Sequence, residues 1–119
     1  MKFSDHKNTG FRLLCYICRR YYLIMPMEKL LHYVWKHKLL PLKELITDKG
    51  ETVEVIDPGL HNNDAGSDFF NAKIRIGGTL WVGNVEIHER ASDWFTHHHD
   101  SDPCYDNVIL HVCHVIDGL

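Results

Sequence analysis

The sequence predicts an α/β domain with a mixed β-sheet and elements in the order α-β-β-β-α-β. Three observations carry the prediction. Apolar residues between 27 and 39 recur at helical spacing; residues 51–57 and 70–76 alternate apolar and polar at period two; and residues 107–116 are apolar on both sides. The last pattern belongs to a strand covered on both faces, which places it inside a sheet rather than at its edge.

Taken in order, residues 1–26 differ from the rest, with a polar start followed by an apolar run that Arg19 and Arg20 interrupt. That run is shorter than the roughly 20 residues a membrane span needs, and no small-residue cleavage site follows it. Cys15 and Cys18 are spaced as a redox or zinc pair, but no second pair stands at ligand spacing. Residues 1–26 are therefore expected to be an upstream over-read, or else a disordered or helical extension, with Met27 opening the domain. Leu30, Leu31, Val34, Trp35 and Leu39 then form the apolar stripe of an amphipathic helix that Pro41 stops. Leu42, Leu45 and Ile46 predict a short second helix with Pro41 in its first turn. Residues 51–57 read as a strand ended by Pro58-Gly59, and residues 60–67 as a polar loop.

Residues 67–88 form the most informative stretch. Two strand-like arms meet at Gly77-Gly78, a pair suited to the positive φ angles of a tight hairpin turn. In the first arm Phe70, Ala72, Ile74 and Ile76 alternate with Asn71, Lys73 and Arg75; the second arm is apolar on both faces. The hairpin returns Asp68 to the neighbourhood of Glu86 and His88, which share one side of their strand. Register decides the outcome, because a one-residue slip reverses every side chain. A strict two-residue turn sets Asp68 opposite Ile87, on the wrong side. A three-residue turn, or a bulge at Gly83, sets Asp68 opposite His88 and Phe70 opposite Glu86.

Beyond the hairpin, Ser92 is placed to cap a short helix through Asp93, Trp94 and Phe95. Residues 90–106 are long enough for a crossover that leaves the last strand parallel within the sheet. Trp81 and Trp94 are read as core. The sequence stops directly after that strand, so residues 27–119 are expected to be the N-terminal part of a single α/β domain.

The chain has 119 residues, 45% of them hydrophobic, which is enough for one core. Four cysteines make no disulfide framework, so reduced thiols and a cytoplasmic location are expected. Residues 27–119 hold eight Lys/Arg against fifteen Asp/Glu, a balance of −7 that opposes a broad nucleic-acid surface. Ten histidines, most of them after residue 87, raise the question of a metal.

The blocks Ser67-Asp68-Phe69, Gly83 to His88, Ser92-Asp93-Trp94, His97 with His99, and Tyr105 to Val112 resemble the N-terminal region of an uncharacterised bacterial family, domain of unknown function 2851. That family is longer than this chain and implies no activity. Asp68 and Glu86-Ile87-His88, with the element order, also resemble the PD-(D/E)XK nuclease superfamily. Ser67 stands where its pattern has Pro, and His88 where it has Lys. The resemblance implies a restriction-endonuclease-like fold and a Mg²⁺-dependent phosphodiesterase acting on nucleic acid. Asp68 and Glu86 would be the metal ligands, and His88 would orient water or contact phosphate.

Two carboxylates suit Mg²⁺, a hard ion that prefers oxygen, and Glu54 or Glu44 could add an outer ligand. The bland alternative is that Asp68 caps the loop while Glu86 and His88 form a hydrogen-bonded polar face. A second reading keeps the fold as a non-catalytic binding or scaffolding module. A third is a zinc hydrolase using His88, His97 and His99, against which stands a solvated helix end where histidine complements the dipole. His111 and Cys113, on one face of the last strand, are expected to be core residues.

Overall fold

The computed structural model of the chain describes residues 12–14, 27–39, 45–115 and 117. It is a mixed α/β fold. Helix α1 (Met27–Lys36) forms as its spacing dictates, with Leu30, Leu31, Val34 and Trp35 buried on one side. Burial of each such side chain stabilises by about 1.5–3 kcal/mol. Trp35 Nε1 also donates to the Pro58 carbonyl at 2.9 Å, satisfying its one polar atom and tying the helix to the sheet.

The expected second helix is not there. Leu45–Ile46 form strand β2, antiparallel to β3 (Thr52–Asp57), while Pro41, Leu42 and Glu44 lie outside the described residues. Thr47 explains the difference: its Oγ1 accepts from the amides of Lys49 and Glu51, and its own amide donates to the Glu51 carbonyl. These bonds close a turn that starts a hairpin, a local competition Thr regularly wins against helix.

Strand β4 (Leu60–His61) pairs with the start of β5 (Phe69–Ile76), which runs through the turn into β6 (Thr79–Arg90). The strand order is β1-β7-β6-β5-β3-β2, with β1 (Arg12–Leu14) and β7 (Val108–Val115). β7 is parallel to both β6 and β1, whereas the other pairings are antiparallel. One face of this sheet carries Phe69, Ala72, Ile74, Ile76, Val85, Ile87, Leu110 and Val112 against α1. Over β6 and β7 the other face is covered by the crossover, which comprises helix α2 (Asp93–Thr96) and two single 3₁₀ turns. Cys15 and Cys18 lie outside the described residues; Cys104 is exposed and Cys113 is buried.

Three expectations need correction. Trp81 is 41% exposed near the hairpin turn, unlike Trp94, which is buried. Ser92 makes no side-chain cap to α2; its Oγ and amide bond the Asp117 carboxylate, both at 3.0 Å, fastening the crossover's start to the end of β7. The hairpin register also differs. The turn has two residues, with Gly77 and Gly78 at φ 57° and 86° and Ile76 paired with Thr79. Ala72 pairs with Gly83 but Phe69 with Val85, so one extra residue bulges from β5 at Phe70–Asn71 rather than from β6 at Gly83. Asp68 thus comes level with Glu86, not with His88. Asn71 takes φ 56°, a left-handed conformation Asn tolerates, and the Asn84 side chain accepts its amide at 3.2 Å. Gly83 serves another purpose: a Cβ there would meet Ile109 Cγ2 at 2.5 Å and the Asn107 carbonyl at 2.8 Å. Its bareness admits the start of β7.

No helix among the described residues is long and apolar enough to cross a membrane.

Candidate metal centre

The site forms where β5 ends and β6 continues. Past Val85 the strand β6 loses its β5 partner, and the Ile87 amide would be orphaned inside the molecule. Asp68, just before β5, takes the missing strand's place: its Oδ2 accepts from Ile87 N–H at 2.7 Å. Glu86 Oε1 lies 3.3 Å from the same amide nitrogen. Two carboxyl groups therefore converge on one N–H, close enough for each to shift the ionisation of the other.

Two buried carboxylates in contact cannot both stay ionised without a cation. Burial, then the bond and charge of Asp68, push Glu86 far above the ordinary carboxylate range, so it holds its proton at neutral pH. Burial also pushes Asp68 up, but the neighbouring His32 and Glu86 outweigh it and hold Asp68 well below the usual range. Asp68 is the anion of the pair and Glu86 the proton carrier. Of the two, Asp68 is the more exposed.

Helix α1 contributes residues that the sequence reading passed over. Glu28 and His32, at i and i+4, stand on its polar side, and His32 Nε2 is 3.5 Å from Asp68 Oδ2. That nitrogen is buried and has no hydrogen-bond partner among the described residues. Glu28, His32 and Asp68 each offer an atom within 4.8 Å of the others. They line a cleft of about 730 Å³ between α1 and residues 61–64, with Lys29 and Lys36 also on its wall. The pattern that could have found His32 was Glu-x-x-x-His on the side of the helix away from its leucines.

His88 lies on the same face of β6 as Glu86 but turns into a cluster of imidazoles. Its Nδ1 is 2.8 Å from His111 Nε2, and its Nε2 is 3.2 Å from His97 Nδ1. The His99 ring stacks over it at 5.1 Å, and His99 Nε2 is 3.4 Å from Glu86 Oε2. His88, His97 and His99 offer three nitrogens within 4.8 Å of one another. Burial, then the charges of His99 and His97, lower His88 to about 3. Burial, then His97, lowers His99 to about 4. Both rings are neutral at pH 7, the form that coordinates metal.

The crossover assembles these rings. His98 adopts φ 60°, reversing the chain so that His97 and His99 both approach His88. Tyr105 stacks on His99 at 3.7 Å, and Trp94 packs edge-on against it. His111 packs in the core against Trp94 as well as bonding His88, and Cys113 is fully buried. Glu54 is elsewhere, exposed and paired with Arg75 toward the hairpin turn. The structure thus brings Asp68, Glu86, His88, His97 and His99 into one region, arranged as a carboxylate pair and an imidazole cluster that meet at Glu86.

Among known proteins, the family whose profile matches residues 28–118 is described as "Protein of unknown function (DUF2851)". No curated protein and no solved structure gives a significant match.

Proposed function

The chain belongs to this family, and because its description names no activity we propose a function from the site: a metal-dependent phosphodiesterase, nuclease-like in type. The observation that carries it is the convergence of Asp68 and Glu86 on the Ile87 amide. The donors fit a hard ion such as Mg²⁺. Asp68 and Glu86 offer carboxyl oxygens at the Ile87 amide, and on its other side Asp68 is grouped with Glu28 and His32, whose ligand atoms lie within 4.8 Å of one another. Asp68 and Glu86 would hold the ion, Glu86 giving up the proton that it keeps in the metal-free chain. When bound, such an ion polarises a phosphoryl oxygen and acidifies a water.

The remaining work falls to the chain's own groups. Asp68 lines the cleft, so substrate enters along α1, where Lys29 and Lys36 provide the permanent positive charge that His88 lacks. His32 Nε2, 3.5 Å from Asp68 Oδ2, would help to hold that carboxylate and orient the attacking water. Ile87 N–H keeps the Asp68 carboxylate in place throughout. A restriction-endonuclease-like assignment of the fold is supported by Asp68 preceding one strand and Glu86-Ile87-His88 lying within the next.

The test is hydrolysis of bis(p-nitrophenyl) phosphate and of DNA with Mg²⁺ or Mn²⁺. Cleavage should need the cation and fall about 100-fold or more in Asp68→Asn and in Glu86→Gln. Cation-dependent cleavage that survives both substitutions sinks the reading. Folded protein that binds Mg²⁺ through Asp68 yet cleaves no phosphodiester points instead to a non-catalytic module, the reading the acidic balance favours.

A further inference from the structure

We propose that His88, His97 and His99 form a second metal site, separate from the carboxylate pair, which takes a zinc-class transition-metal ion and pins the crossover to the sheet. Two of the three rings already stand at the spacing of zinc ligands, and the third is within reach. Two imidazole nitrogens on one tetrahedral zinc, each about 2.0–2.1 Å from the ion, stand roughly 3.3 Å apart. His88 Nε2 and His97 Nδ1 are 3.2 Å apart, and a nitrogen of His99 completes the group within 4.8 Å.

The chemistry of the donors separates this site from its neighbour. Three imidazoles favour zinc, copper or nickel, whereas carboxylates favour magnesium or manganese. The two clusters therefore select different ions although Glu86 borders both. The imidazole cluster also has the outer support that ligand histidines require. His88 Nδ1 lies 2.8 Å from His111 Nε2, and when His88 donates this bond its Nε2 is left for the ion. Tyr105 stacked at 3.7 Å fixes the plane of the His99 ring. His97 is exposed, which provides an entry path and room for a fourth ligand.

The location supplies a role. Between β6 and β7 the chain has one four-residue helix and two three-residue turns, too little regular structure to hold its own shape. An ion shared by His97 and His99 with His88 cross-links this segment to the central strand and sets the position of the His99 ring beside Glu86. The site stands or falls independently of the phosphodiesterase reading.

Titration of the chelator-treated full chain with Co²⁺ reads the site directly. One equivalent should give the visible absorption of four-coordinate cobalt, and Zn²⁺ should displace it. His97→Ala, at an exposed position that leaves folding intact, should weaken binding at least about 100-fold, beyond the 10–100-fold loss expected of an outer partner. Asp68→Asn should keep the spectrum while removing any Mg²⁺-dependent cleavage. Zn²⁺ should raise the thermal midpoint of the parent chain but not of His97→Ala. An octahedral spectrum, binding indifferent to His97→Ala, or binding abolished by Asp68→Asn overturns the proposal.

Discussion

Glu86, His88 and His99 are ionisable groups held in their neutral forms, and that fixes how the metal-free chain responds to pH. His88 and His99 titrate near 3 and 4 in the folded state, against about 6.5 when unfolded. Below pH 6.5 the unfolded chain takes two protons that these rings refuse. Glu86 acts oppositely, since its folded value lies above the unfolded one, so the native state keeps a proton that the unfolded chain releases above about pH 4.5. Between pH 4.5 and 6.5 the two histidines outweigh the one carboxyl, and stability falls as pH drops. Above 6.5 only the Glu86 contribution remains, and stability declines as pH rises. The urea midpoint of metal-free protein should therefore peak near pH 6–7 and be lower at both 5 and 9. A midpoint climbing steadily from 5 to 9 would contradict the protonated state assigned to Glu86. Asp68, Glu86 and His88 were legible as residue types, because carboxylate and imidazole inside an apolar strand demand a partner or a use. Tyr105 was not, since nothing local to it reveals what it meets across the fold, and the Glu-x-x-x-His spacing that marks His32 does not say that it meets Asp68.

At the scale of elements, the hairpin β5–β6 decides whether a site exists, and its bulge decides the hairpin. The Gly77-Gly78 turn alone would put Asp68 across from Ile87; the extra residue at Phe70–Asn71 brings it level with Glu86. Asn71 accepts the left-handed backbone and Asn84 accepts its amide. Asn71→Gly should be tolerated or slightly stabilising. Asn71→Val, strained at φ 56°, and Asn84→Ala, which orphans the Asn71 amide, should each cost about 1–3 kcal/mol. Both should also weaken Mg²⁺ binding; chemical denaturation and calorimetric Mg²⁺ titration check the two effects. Equal Mg²⁺ affinity in Asn84→Ala would show that the bulge does not position Asp68. The alternation of the arms and the turn could be read along the chain, whereas the bulge rests on a contact between residues thirteen apart. In the same way, Leu45 and Ile46 look helical by spacing and become a strand because the Thr47 turn pairs them with β3.

For the molecule as a whole, the sheet is the divider between an apolar side against α1 and a polar side against the crossover, and the carboxylate pair sits at the seam. Both halves depend on how closely β7 approaches β6, which Gly83 permits. Gly83→Ala should force Ile109 and the Asn107 carbonyl away, costing about 1–3 kcal/mol and weakening both metal affinities together. Loss of stability without change in either affinity would detach the sites from this packing. What the sequence determined by itself was local: α1, the alternating arms, the tight turn, the doubly apolar last strand and the chemical types available for a site. These follow from side-chain periodicity and backbone preference, which act over a few residues. Which acid faces which, that His32 reaches Asp68 from the helix, and that three imidazoles meet over Glu86 were decided only by tertiary structure. Each depends on the strand register and on a crossover with almost no regular structure, whose conformation exists only once it is packed against the sheet.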